Sequence, residues 1–157
     1  MLEDKEQEKQ KPIIGENVEY YKSLMRFSVR LVHYFNGYWK EILEEFDIKQ
    51  TEFIILGIVV DRPRLLQQDI VSIIGIDKSI VSRSVKQLEK KKLVTRTPNT
   101  EYNHAYFCEV TSLGEEVYQK VYEKGGPLID KTFSRVSRQD VEQVRDTLLK
   151  IWEHMQE

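Results

Sequence analysis

Residues 77–96 read DKSIVSRSVKQLEKKKLVTR. They hold seven Lys or Arg (Lys78, Arg83, Lys86, Lys90, Lys91, Lys92, Arg96) against two acids (Asp77, Glu89), a net of +5. The whole chain carries −2, so all other residues sum to −7. The chemistry open to this set is anion recognition. An arginine can clasp a guanine edge through two parallel hydrogen bonds, and a lysine can neutralise a phosphate. Ser79 or Ser82 can bond a base edge or a phosphate oxygen. The same composition also suits an ordinary solvated helix face, so the elements that hold these side chains must decide between the two.

Those elements are legible on both sides of the basic stretch. Ile70, Val71, Ile73 and Ile74 form a short apolar helix, and Gly75 is placed to end it in a left-handed conformation. Asp77 can cap a second helix by accepting from the free amides of its first turn. In that second helix Val81, Val85 and Leu88 face inward. Ser79, Ser82, Arg83 and Lys86 share the opposite, polar face. Two short helices joined by a tight turn containing glycine make a helix-turn-helix. After Leu93-Val94, two short extended runs flank the turn-like PNTEYN. This predicts a β-hairpin with Tyr106, Cys108 and Val110 on one face and Phe107 and Glu109 on the other. In the helix-turn-helix context, direct contact with DNA outweighs the solvated-face reading for Lys78, Ser79, Ser82, Arg83 and Lys86. Lys90, Lys91 and Lys92 lie past the part of the helix that enters a groove and read as phosphate contacts or surface charge. Arg62 and Arg64, in the preceding Asp61–Arg64 loop, fit phosphate contact and plain loop charge equally.

The rest of the chain is helical in pattern. From about residue 16 to 46, Leu24, Phe27, Leu31, Tyr34 and Tyr38 recur at helical spacing. Met25, Val29, Val32, Phe35 and Trp39 widen that face until one neighbour cannot cover it. The run Phe53–Val60 is apolar throughout, so periodicity alone does not separate a buried strand from a buried helix; the helical patterns after it favour a helix. Thr111 can cap a helix over about residues 112–124, which Gly125-Gly126-Pro127 should interrupt or kink. Ser137 and Asp140 resemble a capping box. Behind them Val141, Val144, Leu148, Ile151 and Met155 again follow helical spacing. Residues 1–12, almost all charged or amide, read as a disordered tail.

Bulk composition sets outer limits. The 157 residues suit one domain, and 40 % hydrophobic with 32 % charged residues suits a globular chain. No apolar run is long enough to span a membrane, and the first dozen residues lack the apolar core of a signal peptide, so a cytoplasmic location is expected. The single cysteine, Cys108, rules out an intrachain disulfide. Sharing a face with Tyr106 and Val110, it reads as packed and inert. On a strand, His104 and Cys108 would lie about 13 Å apart at ~3.3 Å per residue, too far to share an ion with bonds of about 2.0–2.3 Å. No metal and no cofactor is expected; His33 and His154, on two different helices with many Glu residues about, leave a zinc-sensing variant as the lesser alternative. No G-x-S-x-G, H-E-x-x-H or phosphate-binding glycine loop occurs, so no catalytic residue and no enzyme is expected.

The order of elements resembles the MarR-type (multiple antibiotic resistance regulator) family of winged helix-turn-helix transcription factors. The resemblance covers about residues 16–155. It rests on Asp77-Lys78-Ser79 with Val81-Ser82-Arg83 opening the recognition helix, and on Leu88-Glu89-Lys90-Lys91 and Leu93-Val94-Thr95-Arg96 closing it. Thr111-Ser112-Leu113-Gly114 matches the family's T-x-x-G element. The implied fold is mainly α with a small β-hairpin wing. Helices at 13–46 and 112–157 would form a dimerisation region, and residues 48–111 a DNA-binding lobe with helix-turn-helix 66–92 and wing 95–111. The implied function is a homodimeric regulator of a pseudo-palindromic operator, a repressor released by a small, often aromatic, effector. Leu24, Phe27, Leu31, Val144, Leu148 and Ile151 would hold the dimer. Tyr20, Tyr21, Phe27, Tyr34, Phe35, Tyr38 and Trp39 could line an apolar pocket with phenolic hydroxyls, but the sequence singles out no effector residue. Arg96 would neutralise phosphate.

Two positions depart from the family pattern. Lys92 stands where the family has glycine; a left-handed lysine costs about 1 kcal/mol, so a differently shaped helix end is expected. Tyr102, Asn103 and His104 stand where the wing usually carries an Asp and two Arg. That leaves Asn103 and His104 as the wing's candidates for the minor groove. It also motivates a second reading, a winged-helix dimer with weak or no DNA binding that acts as a protein-interaction module.

Overall fold

The computed structural model describes residues 14–100 and 105–155. The chain forms two compact units, residues 1–41 and 42–157, divided within the first helix. That helix, α1, runs Ile14–Glu45 and is followed by α2 Gln50–Asp61, β1 Leu65–Leu66, α3 Gln67–Ile74, α4 Lys78–Lys90, β2 Val94–Pro98, β3 Tyr106–Val110, α5 Ser112–Phe133 and α6 Arg138–His154. The mainly helical architecture with a small antiparallel wing is the one the sequence implies.

The first unit, as described, is α1 alone. Its wide apolar surface stays open: Leu24, Phe27 and Leu31 are 41 %, 59 % and 55 % exposed.

The second unit owns the hydrophobic core. Leu43 in the last turn of α1, Ile55, Leu56 and Val59 in α2, Ile70 in α3, and Val81, Val85 and Leu88 in α4 are almost wholly buried. Phe53–Val60 lies within α2, so the helical alternative is correct. The run is apolar all round because α2 is the central helix, packing on α4, β3 and α5. Phe53, Tyr118 and Tyr122 pack ring to ring across α2 and α5, with centroids 4.9–5.5 Å apart.

The sheet is antiparallel in the order β1-β3-β2. Val94 pairs with Val110, Arg96 with Cys108 and Pro98 with Tyr106. The third strand, β1, is absent from the sequence reading. Its two residues, Leu65 opposite Cys108 and Leu66 opposite Phe107, are too few to show an alternation.

A second correction concerns α5. Gly125-Gly126-Pro127 does not end the helix near residue 124; α5 continues through Pro127 to Phe133. Proline there removes one backbone donor, and the turns on either side carry the helix across. Residues 1–12, Tyr102, Asn103 and His104 lie outside the described residues.

Candidate nucleic-acid interface

Local hydrogen bonds set α4, the second helix of the helix-turn-helix. Gly75, at φ 71°, closes α3 in the left-handed conformation and donates to the Val71 carbonyl at 2.9 Å. A side chain there would be strained and would also meet the Trp152 ring of α6, 2.4 Å from the position of a Cβ. Asp77 then caps α4, its Oδ1 accepting from the Ser79 amide at 2.7 Å. Hydrogen bonds from Ser79 hold the Asp77 carboxyl below its usual range, with a smaller contribution from the Arg83 charge.

The capped helix has two distinct faces. Val81, Val85 and Leu88 are 0 % exposed. Lys78, Ser79, Arg83 and Lys86 are exposed, and Ser82 is half-buried. Arg83 and Lys86 also border a groove of 480 Å³ between α4 and the start of α2, where Lys49, Thr51, Ser84 and Gln87 join them. Sequence reading missed Lys49 and Thr51, since nothing in local spacing ties them to a helix three dozen residues later.

The far end of α4 is different. Lys92 takes φ 61°, so the left-handed shape that the family builds on glycine is kept here with a strained lysine. The expectation of a different helix end is not met. The Leu93 amide reaches back to the Leu88 carbonyl at 2.9 Å and completes the cap. Thr111 welds the start of α5 to this point: its hydroxyl donates to the Lys92 carbonyl at 2.7 Å and accepts from the Gly114 amide at 3.0 Å. Gly114 is needed because a Cβ would stand 2.1 Å from the Leu93 carbonyl oxygen. The T-x-x-G element is thus a joint between the end of α4 and α5.

Two of the seven cations turn inward. Arg96 pairs with Glu89 at 2.9 Å, lies over the Tyr106 ring at 4.6 Å, and its side chain is only 16 % exposed. It differs in this from the phosphate-facing cation the sequence suggests. Lys91 pairs with the buried carboxylate of Glu52 at 2.8 Å. Arg64 covers the Phe107 ring at 4.3 Å and lies 3.8 Å from Glu109, while Arg62 is exposed.

Cys108 is 0 % exposed, and burial pushes its thiol up to about 11. Among the described residues, no three His, Cys, Asp or Glu are grouped to hold a metal ion, and no helix is long and apolar enough to cross a membrane.

A helix-turn-helix whose second helix leads through a three-stranded sheet into a long helix defines the winged-helix class. Residues 46–101 match the sequence model of the MarR family. The chain has the fold of that family's transcriptional regulators, in keeping with the resemblance read from its sequence. A comparison with curated proteins gives no match. Among solved structures, the transcriptional regulator BldR from Sulfolobus solfataricus superposes with a TM-score of 0.74 at 20% identity, over 87% of this chain and 97% of its own. Wild-type MarR from E. coli, in its apo form, superposes with a TM-score of 0.64 at 18% identity, over 82% and 95%. NadR in complex with 4-hydroxyphenylacetate gives 0.68 at 20% identity, over 82% and 89%.

Proposed function

We propose that this protein is a homodimeric, sequence-specific DNA-binding transcriptional regulator that acts as a repressor and is released by a small aromatic effector. The observation that carries the reading is the division of α4 into a buried Val81–Val85–Leu88 face and an exposed face bearing Lys78, Ser79, Arg83 and Lys86. Arg83 reads a base edge, Ser79, Ser82 and Lys86 assist in the groove, and Lys78 neutralises phosphate. Residues 48–111 are then the DNA-binding lobe.

The dimer is supported by apolar side chains that lie uncovered in one chain. Leu24, Phe27 and Leu31 on α1 share this property with Val144, Leu148 and Ile151 on α6, which are 59 %, 48 % and 39 % exposed. Large exposed apolar patches of this kind favour a partner surface. A second copy supplies it, and places two recognition helices about one helical turn apart on the operator. The phenol-bearing ligand named for NadR motivates an aromatic effector here.

The test is binding to the protein's own upstream DNA across a salt series. Affinity should fall steeply as salt rises. Arg83→Ala should bind that DNA about 10- to 100-fold more weakly, in line with ~1–3 kcal/mol for a bidentate base contact, while binding scrambled DNA much as before. Equal binding of both DNAs by wild type and Arg83→Ala would sink the base-reading role. Specific binding to no upstream site, with a protein captured instead, would favour the interaction-module reading.

A further inference from the structure

Lys91 lies in the middle of the most basic run in the chain, yet its ammonium group points into the protein. It pairs with Glu52 at 2.8 Å, and the Glu52 side chain is only 3 % exposed. The same carboxylate oxygen accepts from the Lys49 amide at 3.2 Å in the first turn of α2. Lys91 also donates to the backbone carbonyl of Asp47, a residue held at φ 53° just before α2. One lysine at the C-terminal end of α4 therefore gathers the turn into α2 and the first turn of α2 itself. If Lys91 swung out to a phosphate, the Glu52 carboxylate would be left buried without its cation, which is strongly unfavourable. Its neighbours Lys90 and Lys92 are exposed. On the opposite side of the same helix end, Glu89 and Arg96 tie α4 to the wing at 2.9 Å.

We propose that Lys91 is a positioning residue and not a phosphate contact: its ion pair with buried Glu52 sets the angle at which α4 is presented to DNA. This rests on the DNA-binding reading above. The ion pair joins the two helices that frame the lobe, α2 at its centre and α4 at its surface. A change in it tilts the exposed face that carries Arg83 and Lys86 without removing any charge that faces DNA.

The test uses the full chain, with fluorescence anisotropy on its upstream DNA and on scrambled DNA over a salt series, at a temperature where circular dichroism shows each variant folded. Lys91→Met, which keeps the length of the side chain and removes its charge, should lose at least about tenfold in affinity for upstream DNA. Its affinity for scrambled DNA and its salt slope should match wild type, and Lys91→Arg should recover most of the loss. The phosphate-contact control, Lys90→Met, should weaken both DNAs alike and reduce the slope by about one. If Lys91→Met does the same as that control, Lys91 contacts phosphate and the proposal fails. It also fails if only the melting temperature drops while both affinities stay at wild-type values. Should Lys91→Met not fold, Glu52→Gln is read by the same criteria. If wild type does not discriminate between the two DNAs, the regulator reading fails, and amide hydrogen exchange decides the positioning role of Lys91 separately. Faster exchange at residues 50–53 and 88–93 in Lys91→Met, restored in Lys91→Arg, supports it; unchanged exchange overturns it.

Discussion

The helix-turn-helix lobe and the terminal helices carry the same kind of sequence signal and put it to opposite use. In α4 the stripe Val81–Val85–Leu88 is 0 % exposed. In α6 the stripe Val144–Leu148–Ile151 is 39–59 % exposed, and in α1 Leu24, Phe27 and Leu31 are similarly open. Helical periodicity tells which residues share a face, not what covers that face. In the lobe the cover is the chain itself, through α2. For the terminal helices the proposed cover is a second copy.

The sharpest way to break this comparison is to cut one leucine from each stripe. Leu88→Ala should cost about 2–5 kcal/mol of stability, the range for a fully buried leucine. Its deficit in thermal melts should be the same at low and high protein concentration. Leu148→Ala should act on association, so its deficit should depend on concentration and its sedimentation should shift toward monomer. A Leu148→Ala deficit that ignores concentration would mean that the chain covers this face itself. A smaller effect tests the joint between lobe and α5. Thr111→Val removes the cap on Gly114 and the donor to the Lys92 carbonyl, and should cost about 0.5–2 kcal/mol in denaturant melts.

The mildest effect concerns Cys108. Its thiol is held near 11 against an ordinary 9.0. At pH 8 the folded protein should react with iodoacetamide roughly a hundredfold more slowly than the unfolded chain, at tenfold per pKa unit. The unfolded thiol releases its proton first as pH rises, so Cys108 should lower stability between about pH 9 and 11 and have no such effect below that window. Rapid labelling of folded protein at pH 8 would place Cys108 outside the core.

The parts of the fold that were legible obey rules a few residues long. Gly75 ends α3, Asp77 caps α4, and Ser137 with Asp140 forms the capping box of α6. The exposed set Lys78, Ser79, Arg83 and Lys86 follows from helical spacing once the helix is placed. What stayed hidden depends on partners distant in sequence. The Lys91–Glu52 pair spans 39 residues, and Arg96 looks like any other cation until Glu89 and Tyr106 are seen around it. The two-residue β1 exists only through its pairing with β3. The extension of α5 past residue 124 to Phe133 escapes a local rule for breaking helices, because the helix is long enough to absorb the donor lost at Pro127.

The contact between Trp152 and Gly75 has an optical consequence. The indole sits against the left-handed residue that joins α3 to α4, so its emission reports on the polarity at that turn. The other tryptophan, Trp39, belongs to α1. Replacing it with phenylalanine would leave a chain whose single tryptophan, excited selectively over its tyrosines, watches the turn of its own helix-turn-helix, with no label added.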